Sequence, residues 1–203
     1  MNFRELVDNK RGMKKILPVP YISQYSDSFE QDWKNRSCGI ACVAMLLGYY
    51  NLEDLNPMIL INEGIAIGGH CQGGWFHESL VRIIRNHGIN SYAQEFRSVE
   101  ISMKDKLFKP SPLETKLVDD GLIKIIQEID KKQPVIVSVK PNFNGNDTNH
   151  LLIVIGYDFS DQKGNLIIHD PNGKNSKKTL NEFSVNLSEF QKFWRKFAIF
   201  SYR

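Results

Sequence analysis

Ser37-Cys38-Gly39-Ile40-Ala41-Cys42-Val43-Ala44-Met45-Leu46-Leu47 sets a thiol where an apolar helix begins. From Cys38 to about Tyr50 the run is apolar on nearly every helical face, which predicts a helix buried at the centre of the molecule. Two more helical patterns lie downstream. One runs from about Trp75 to Asn86, with Leu80, Val81, Ile83 and Ile84 at helical spacing and Gly88 as its stop. The other runs from Gly121 to Lys132 through Leu122, Ile125, Ile126 and Ile129, with basic residues at its C-terminal end.

Beyond residue 133 the pattern changes to strands. Pro134 to Val139, His150 to Tyr157 and Leu166 to His169 are β-branched or apolar runs bounded by turn residues, and Pro171-Asn172-Gly173 signals a tight turn. Ser188-Glu189-Phe190-Gln191 has capping-box form and predicts a last helix carrying Phe193 and Trp194, followed by a final strand from Phe197 to Tyr202. Helices first and strands later predict an α+β fold, with residues 16–203 as one domain and residues 1–15 as an exposed N-terminal arm. Pro18 and Pro20 favour an extended entry into that domain, and 26–36 reads as a polar loop holding Trp33. The pattern is weak from Ser91 to Asp120, where Lys109-Pro110-Ser111-Pro112 marks a loop.

A chain of 203 residues suffices for one domain with a sizeable core, and 41% hydrophobic with 24% charged residues is ordinary for a globular protein. The net charge of +3 is small and the lysines are scattered, which argues against nucleic acid as a partner. No stretch approaches the roughly 18 apolar residues of a spanning helix, and Met1 to Lys15 lacks the apolar segment of a secretory signal. No membrane association is expected. Three cysteines cannot all pair with one another, and a thiol used in chemistry must stay reduced, so the expected location is the cytoplasm, with export by an unrecognised route as the alternative.

The chemistry is expected at Cys38. A thiolate at a helix N-terminus is stabilised by the dipole and by unpaired N–H groups, whereas Cys42, one turn deeper among Val43, Ala44 and Met45, reads as a small core residue. Acyl transfer also needs a base within hydrogen-bond reach and donors for the developing oxyanion. His150 opens an apolar strand after a polar loop, where the strand can fix an imidazole at a cleft edge. Asp170 ends the neighbouring strand, either as the carboxylate that orients that imidazole or as a plain turn initiator.

Val19-Pro20-Tyr21-Ile22-Ser23-Gln24, Ser37-Cys38-Gly39, Gly73-Gly74-Trp75, Pro134-Val135-Ile136-Val137, His150 to Asp158 and Asp170-Pro171 together resemble the bacteriocin-processing-peptidase-like (double-glycine peptidase-like) family. This is a branch of the papain-like cysteine peptidases, and the resemblance spans about residues 18 to 202. It implies a papain-like fold, a peptide or protein substrate, no cofactor, Cys38 as nucleophile, His150 as general base and acid, and Asp170 as orienting group. It alone implies Gln24 as the side-chain donor of the oxyanion hole, paired with the backbone N–H of Cys38. An amide N–H₂ can do this without carrying charge. Ile40 stands where such sequences often have proline, the gap from Gln24 to Cys38 is long, and no transporter segment is seen. The double-glycine leader specificity of that branch is therefore not expected to carry over.

Other constellations are weaker. His70, Cys71 and His77 offer the right atoms for zinc, but a closed site wants four ligands and the usual paired-cysteine spacing is missing. No metal is expected. Trp75 either closes over the site or packs at a helix start, with packing favoured; His169 is expected to point away from the face used by Asp170; and the basic stretch Lys174 to Lys178 is expected to be solvated. The rivals to a thiol peptidase are an acyl transferase and a peptide-binding module on the same fold without chemistry.

Overall fold

The computed structural model describes residues 3–51, 55–72, 74–97, 112–143, 148–161, 164–173 and 182–203. The central helix, α2 (Cys38–Tyr49), buries every residue from Gly39 to Leu47. Asn51, with φ 62°, leaves the helical region and its N–H bonds back to the Gly48 carbonyl, ending the helix. Helices α3 (Pro57–Ala66) and α4 (His77–Asn86) pack against α2, and Gly88 at φ 79° stops α4 as the sequence predicts.

Seven strands form an antiparallel sheet in the order β4 (Asn90–Glu95), β9 (Trp194–Tyr202), β5 (Val135–Val139), β6 (His150–Asp158), β7 (Asn165–His169) and β8 (Glu182–Asn186), with β1 (Lys14–Ile16) also paired to β6. Helix α2 lies on β6 and α4 on β4. Helix α5 (Pro112–Asp130) contacts β5, β6 and β9. Between α3 and α4 a small hairpin pairs β2 (His70–Cys71) with β3 (Gly74–Trp75). The fold is α+β, with the strands gathered behind the central helix.

Several boundaries differ from expectation. Residues 1–15, read as an exposed arm, are packed where described. Helix α1 (Phe3–Asn9) buries Leu6 and docks on α5, Lys10 Nζ reaches Asp130 Oδ2 at 2.7 Å, and β1 pairs Lys14 with Asp158 and Ile16 with Gly156. Trp75 belongs to β3, so α4 starts two residues later than its periodicity suggests. Helix α6 (Leu187–Phe193) is capped by Asn186, whose side chain accepts from the Glu189 N–H, rather than by Ser188. Trp194 then leaves the helix to open β9. Lys109-Pro110-Ser111 and the basic stretch 174–178 lie outside the described residues.

Candidate active site

Antiparallel pairing of β6 and β7 puts the first residue of one strand beside the end of the next, so His150 and Asp170 share one end of the sheet. His150 Nε2 and Asp170 Oδ1 are 2.6 Å apart, and both residues are buried. Helix α2 points its N-terminus at the same place, and the Cys38 thiol hydrogen-bonds the imidazole. With Nε2 on the carboxylate, Nδ1 is the nitrogen left for sulfur. The structure thus brings together Cys38, His150 and Asp170 from positions far apart in the chain.

Burial alone would push the Cys38 thiol up, yet the hydrogen bond and charge of His150 and the N–H groups of Leu151 and Gly39 hold it below its ordinary value. Burial alone would lower His150, but hydrogen bonds to Asp170 and Cys38 raise it to about 10. Both directions favour a thiolate–imidazolium pair. Cys42 differs: wholly buried, its thiol is pushed well up, as befits a core residue.

Asp170, besides its contact with His150, starts the turn that follows β7. Its Oδ1 accepts from the Asn172 N–H at 2.9 Å and its carbonyl accepts from the Gly173 N–H at 3.1 Å, so it also starts the turn. Gly173, at φ 58°, provides the left-handed residue that this turn requires. The turn in its turn anchors the entry segment. Tyr21 Oη donates to the Asp170 carbonyl at 3.0 Å and the Gln24 N–H to the Pro171 carbonyl at 2.9 Å.

Gln24 is thereby carried to the cleft that holds Cys38 and His150, where it is 4% exposed. Its Nε2 donates one hydrogen to the Lys34 carbonyl at 2.6 Å, which fixes which end of the amide is nitrogen and leaves a second N–H free to donate. Its Oε1 is buried without a hydrogen-bond partner among the described residues.

The cleft has a volume of 660 Å³, and Trp75 forms part of its wall. Trp75 Nε1 donates to the Arg36 carbonyl at 2.9 Å and its ring fills the space above Gly64, so packing and cleft lining are one role here. His70 lies edge-on between Trp33 and Trp75, whereas His77 stacks on Phe197 at 3.7 Å. The two imidazoles are held by different neighbours, and no cluster of three metal-ligating side chains occurs among the described residues. No described helix is long and apolar enough to cross a membrane.

Among the cleft residues that sequence reasoning did not single out are Ser138 and Arg195. Ser138 looked like an interior strand residue, and Arg195 fell between the expected last helix and the final strand. Neither carries a motif that could have revealed it.

A family model described as "Peptidase_C39 like family" matches residues 16–200. Similar solved structures include a Bacillus anthracis protein described as C39-like peptidase, at 18% identity and TM-score 0.59, covering 94% of this chain and 98% of that one. The peptidase domain of Streptococcus ComA, a bi-functional ABC transporter of a quorum-sensing pathway, shares 17% identity at TM-score 0.56, covering 90% of this chain and 97% of that one. A double glycine motif protease from an AMS/PCAT transporter, solved with its leader peptide, shares 16% identity at TM-score 0.52, covering 93% and 95%. No curated protein matches the chain.

Proposed function

Because the chain belongs to the Peptidase_C39 like family, a family of cysteine peptidases, we propose that it hydrolyses a peptide bond through Cys38, with His150, Asp170 and Gln24 as its working partners. The observation that carries this is the linked thiol, imidazole and carboxylate, with His150 and Asp170 2.6 Å apart.

In the first step the Cys38 thiolate attacks the scissile carbonyl carbon, and the carbonyl electrons move onto oxygen. The free N–H of Gln24 Nε2 and the backbone N–H of Cys38 donate to that oxyanion. The imidazolium of His150 gives its Nδ1 proton to the leaving amine, the C–N bond breaks, and a Cys38 thioester remains. Water then takes the place of the amine. His150 removes its proton, hydroxide adds to the thioester, and collapse expels the thiolate and restores the ion pair. Asp170 keeps Nε2 protonated and the ring in plane throughout, without itself taking the proton.

A cytoplasmic setting fits this chemistry, since Cys38, Cys42 and Cys71 are all free thiols. The test is turnover of a fluorogenic peptide library by the protein and by Cys38→Ala, paired with labelling by iodoacetamide at pH 6.5. Turnover that vanishes in Cys38→Ala, and labelling of Cys38 ahead of exposed Cys71, are the expected results. Equal labelling of the two thiols would instead indicate a peptide-binding module.

A further inference from the structure

The β5–β9 pairing is irregular beside the site. Val137 faces Ala198 and Val139 faces Trp194, so Arg195, Lys196 and Phe197 all stand opposite Ser138. This is a bulge, a device that re-aims side chains near functional clefts. It is firmly held: Lys196 takes φ 63°, its carbonyl accepts from the Phe96 N–H at 2.8 Å, and Trp194 Nε1 donates to the Phe197 carbonyl at 3.0 Å.

The bulge delivers the half-buried Arg195 into the cleft, where Nη1 donates to the buried Ser138 Oγ at 3.2 Å. Because Ser138 accepts this bond, its own O–H is left to donate. Glu95, the last residue of β4 and close enough to act on Arg195, is already engaged by Arg97 through bonds of 3.2 and 2.9 Å. Among the described residues no carboxylate pairs with Arg195, and none lines the cleft. The other permanent charge there is also a cation, Arg36, seated over Trp33. Burial and the nearby Arg97 lower the proton affinity of Arg195 from its ordinary value, with Glu95 offsetting this in part. A guanidinium in that setting gains from an incoming anion.

We infer that Arg195 and Ser138 form a substrate subsite for a carboxylate, carried either by an acidic side chain or by the free C-terminus of the peptide. The inference rests on the peptidase reading above. Val139 lies opposite both His150 and Trp194, so Ser138 stands one strand spacing and Arg195 two, about 10 Å, from the strand of His150. An extended peptide covers that distance in about three residues. The carboxylate therefore sits within about three residues of the scissile bond, beside His77, which lines the cleft with its ring stacked on Phe197.

The test compares peptides that differ by Glu or Gln at single positions, each made with a free and with an amidated C-terminus. Binding to the Cys38→Ala protein is followed by fluorescence anisotropy and turnover by the active protein. A Glu preference of ten- to hundredfold at one position is expected if a side chain is read, or the same preference for the free acid if the C-terminus is read. Arg195→Gln should collapse that ratio to near one, and Arg195→Lys should restore part of it. No acid preference in the native protein, or a ratio unmoved by Arg195→Gln, overturns the subsite. Because anisotropy needs no turnover, loss of the peptidase reading shows separately, as absent hydrolysis and an unreactive Cys38.

Discussion

Cys38 sits at the first position of α2 and hydrogen-bonds an imidazole that is itself bonded to a buried carboxylate. The proton therefore has a better home on His150 than on sulfur. Alkylation of Cys38 should stay fast well below pH 9, where an ordinary thiol is mostly protonated, and His150→Ala should return it to slow labelling that rises only toward alkaline pH. The alkaline limb of turnover should fall near pH 10, where the imidazolium is lost. Asp170→Asn separates the proposed orienting role of that residue from its place in the turn. The amide can still accept from the Asn172 N–H and keep the turn, but it removes the charge that supports imidazolium. We expect the alkaline limb to move below 10 and kcat/KM to drop roughly 10²-fold with the fold intact, as read by rate profiles and circular dichroism. If Gln24 is the proposed oxyanion donor, Gln24→Ala should lower kcat by about 10²–10³ with little change in KM, because such a donor acts on the transition state rather than on bound substrate.

The elements behave as packed bodies whose contact points tolerate little added volume. A Cβ on Gly64 of α3 would run into the Trp75 ring, and that ring is tied by Nε1 to the Arg36 carbonyl. Gly64→Ala should destabilise the protein by about 1–3 kcal/mol in urea titrations and raise KM, since the displaced ring lines the cleft. A urea midpoint and KM both equal to those of the native protein would show that the ring is not held there. The same contrast between packing and local pattern explains what was legible. Helix α2 could be read because burial on all sides leaves a continuous apolar run, and β5, β6 and β7 because β-branched runs are bounded by turns. The first half of α5, Pro112 to Asp120, is mostly polar and half exposed, so it gave no period. Strand β4, Asn90–Glu95, is an edge strand without apolar alternation and owes its form to pairing with β9. Trp194 reads as helical beside Phe190 and Phe193, but the bulge that turns it into a strand depends on tertiary contacts. Within the site, chain order exposed Cys38, His150 and Asp170. Gln24 came only from family resemblance, since a lone glutamine after an extended segment carries no local signal.

Across the whole molecule, the site is assembled where the entry segment, the start of α2 and the ends of β6 and β7 converge, so global stability and site geometry are linked. His169 ties them to pH. It is the last residue of β7, directly before Asp170, is 4% exposed, and meets the Tyr21 ring edge-on at 5.4 Å. Its Nδ1 has no partner among the described residues, and burial lowers its affinity for a proton to about 4. The unfolded chain binds that proton at the ordinary value of 6.5. Between pH 6.5 and pH 4 the unfolded state therefore holds more protons than the folded state, and stability must fall as pH falls. The full loss contributed by this one imidazole is on the order of 3 kcal/mol, reached near pH 4. Urea unfolding at half-unit pH steps should show that decline in the native protein and a flatter profile in His169→Leu, which keeps an apolar body against Tyr21 but cannot titrate. Because Tyr21 also donates to the Asp170 carbonyl, protonation of His169 should loosen the same strand end that holds the carboxylate bonded to His150. Acid loss of Cys38 reactivity in the native protein should accordingly be steeper than in His169→Leu, and parallel profiles for the two proteins would break that link.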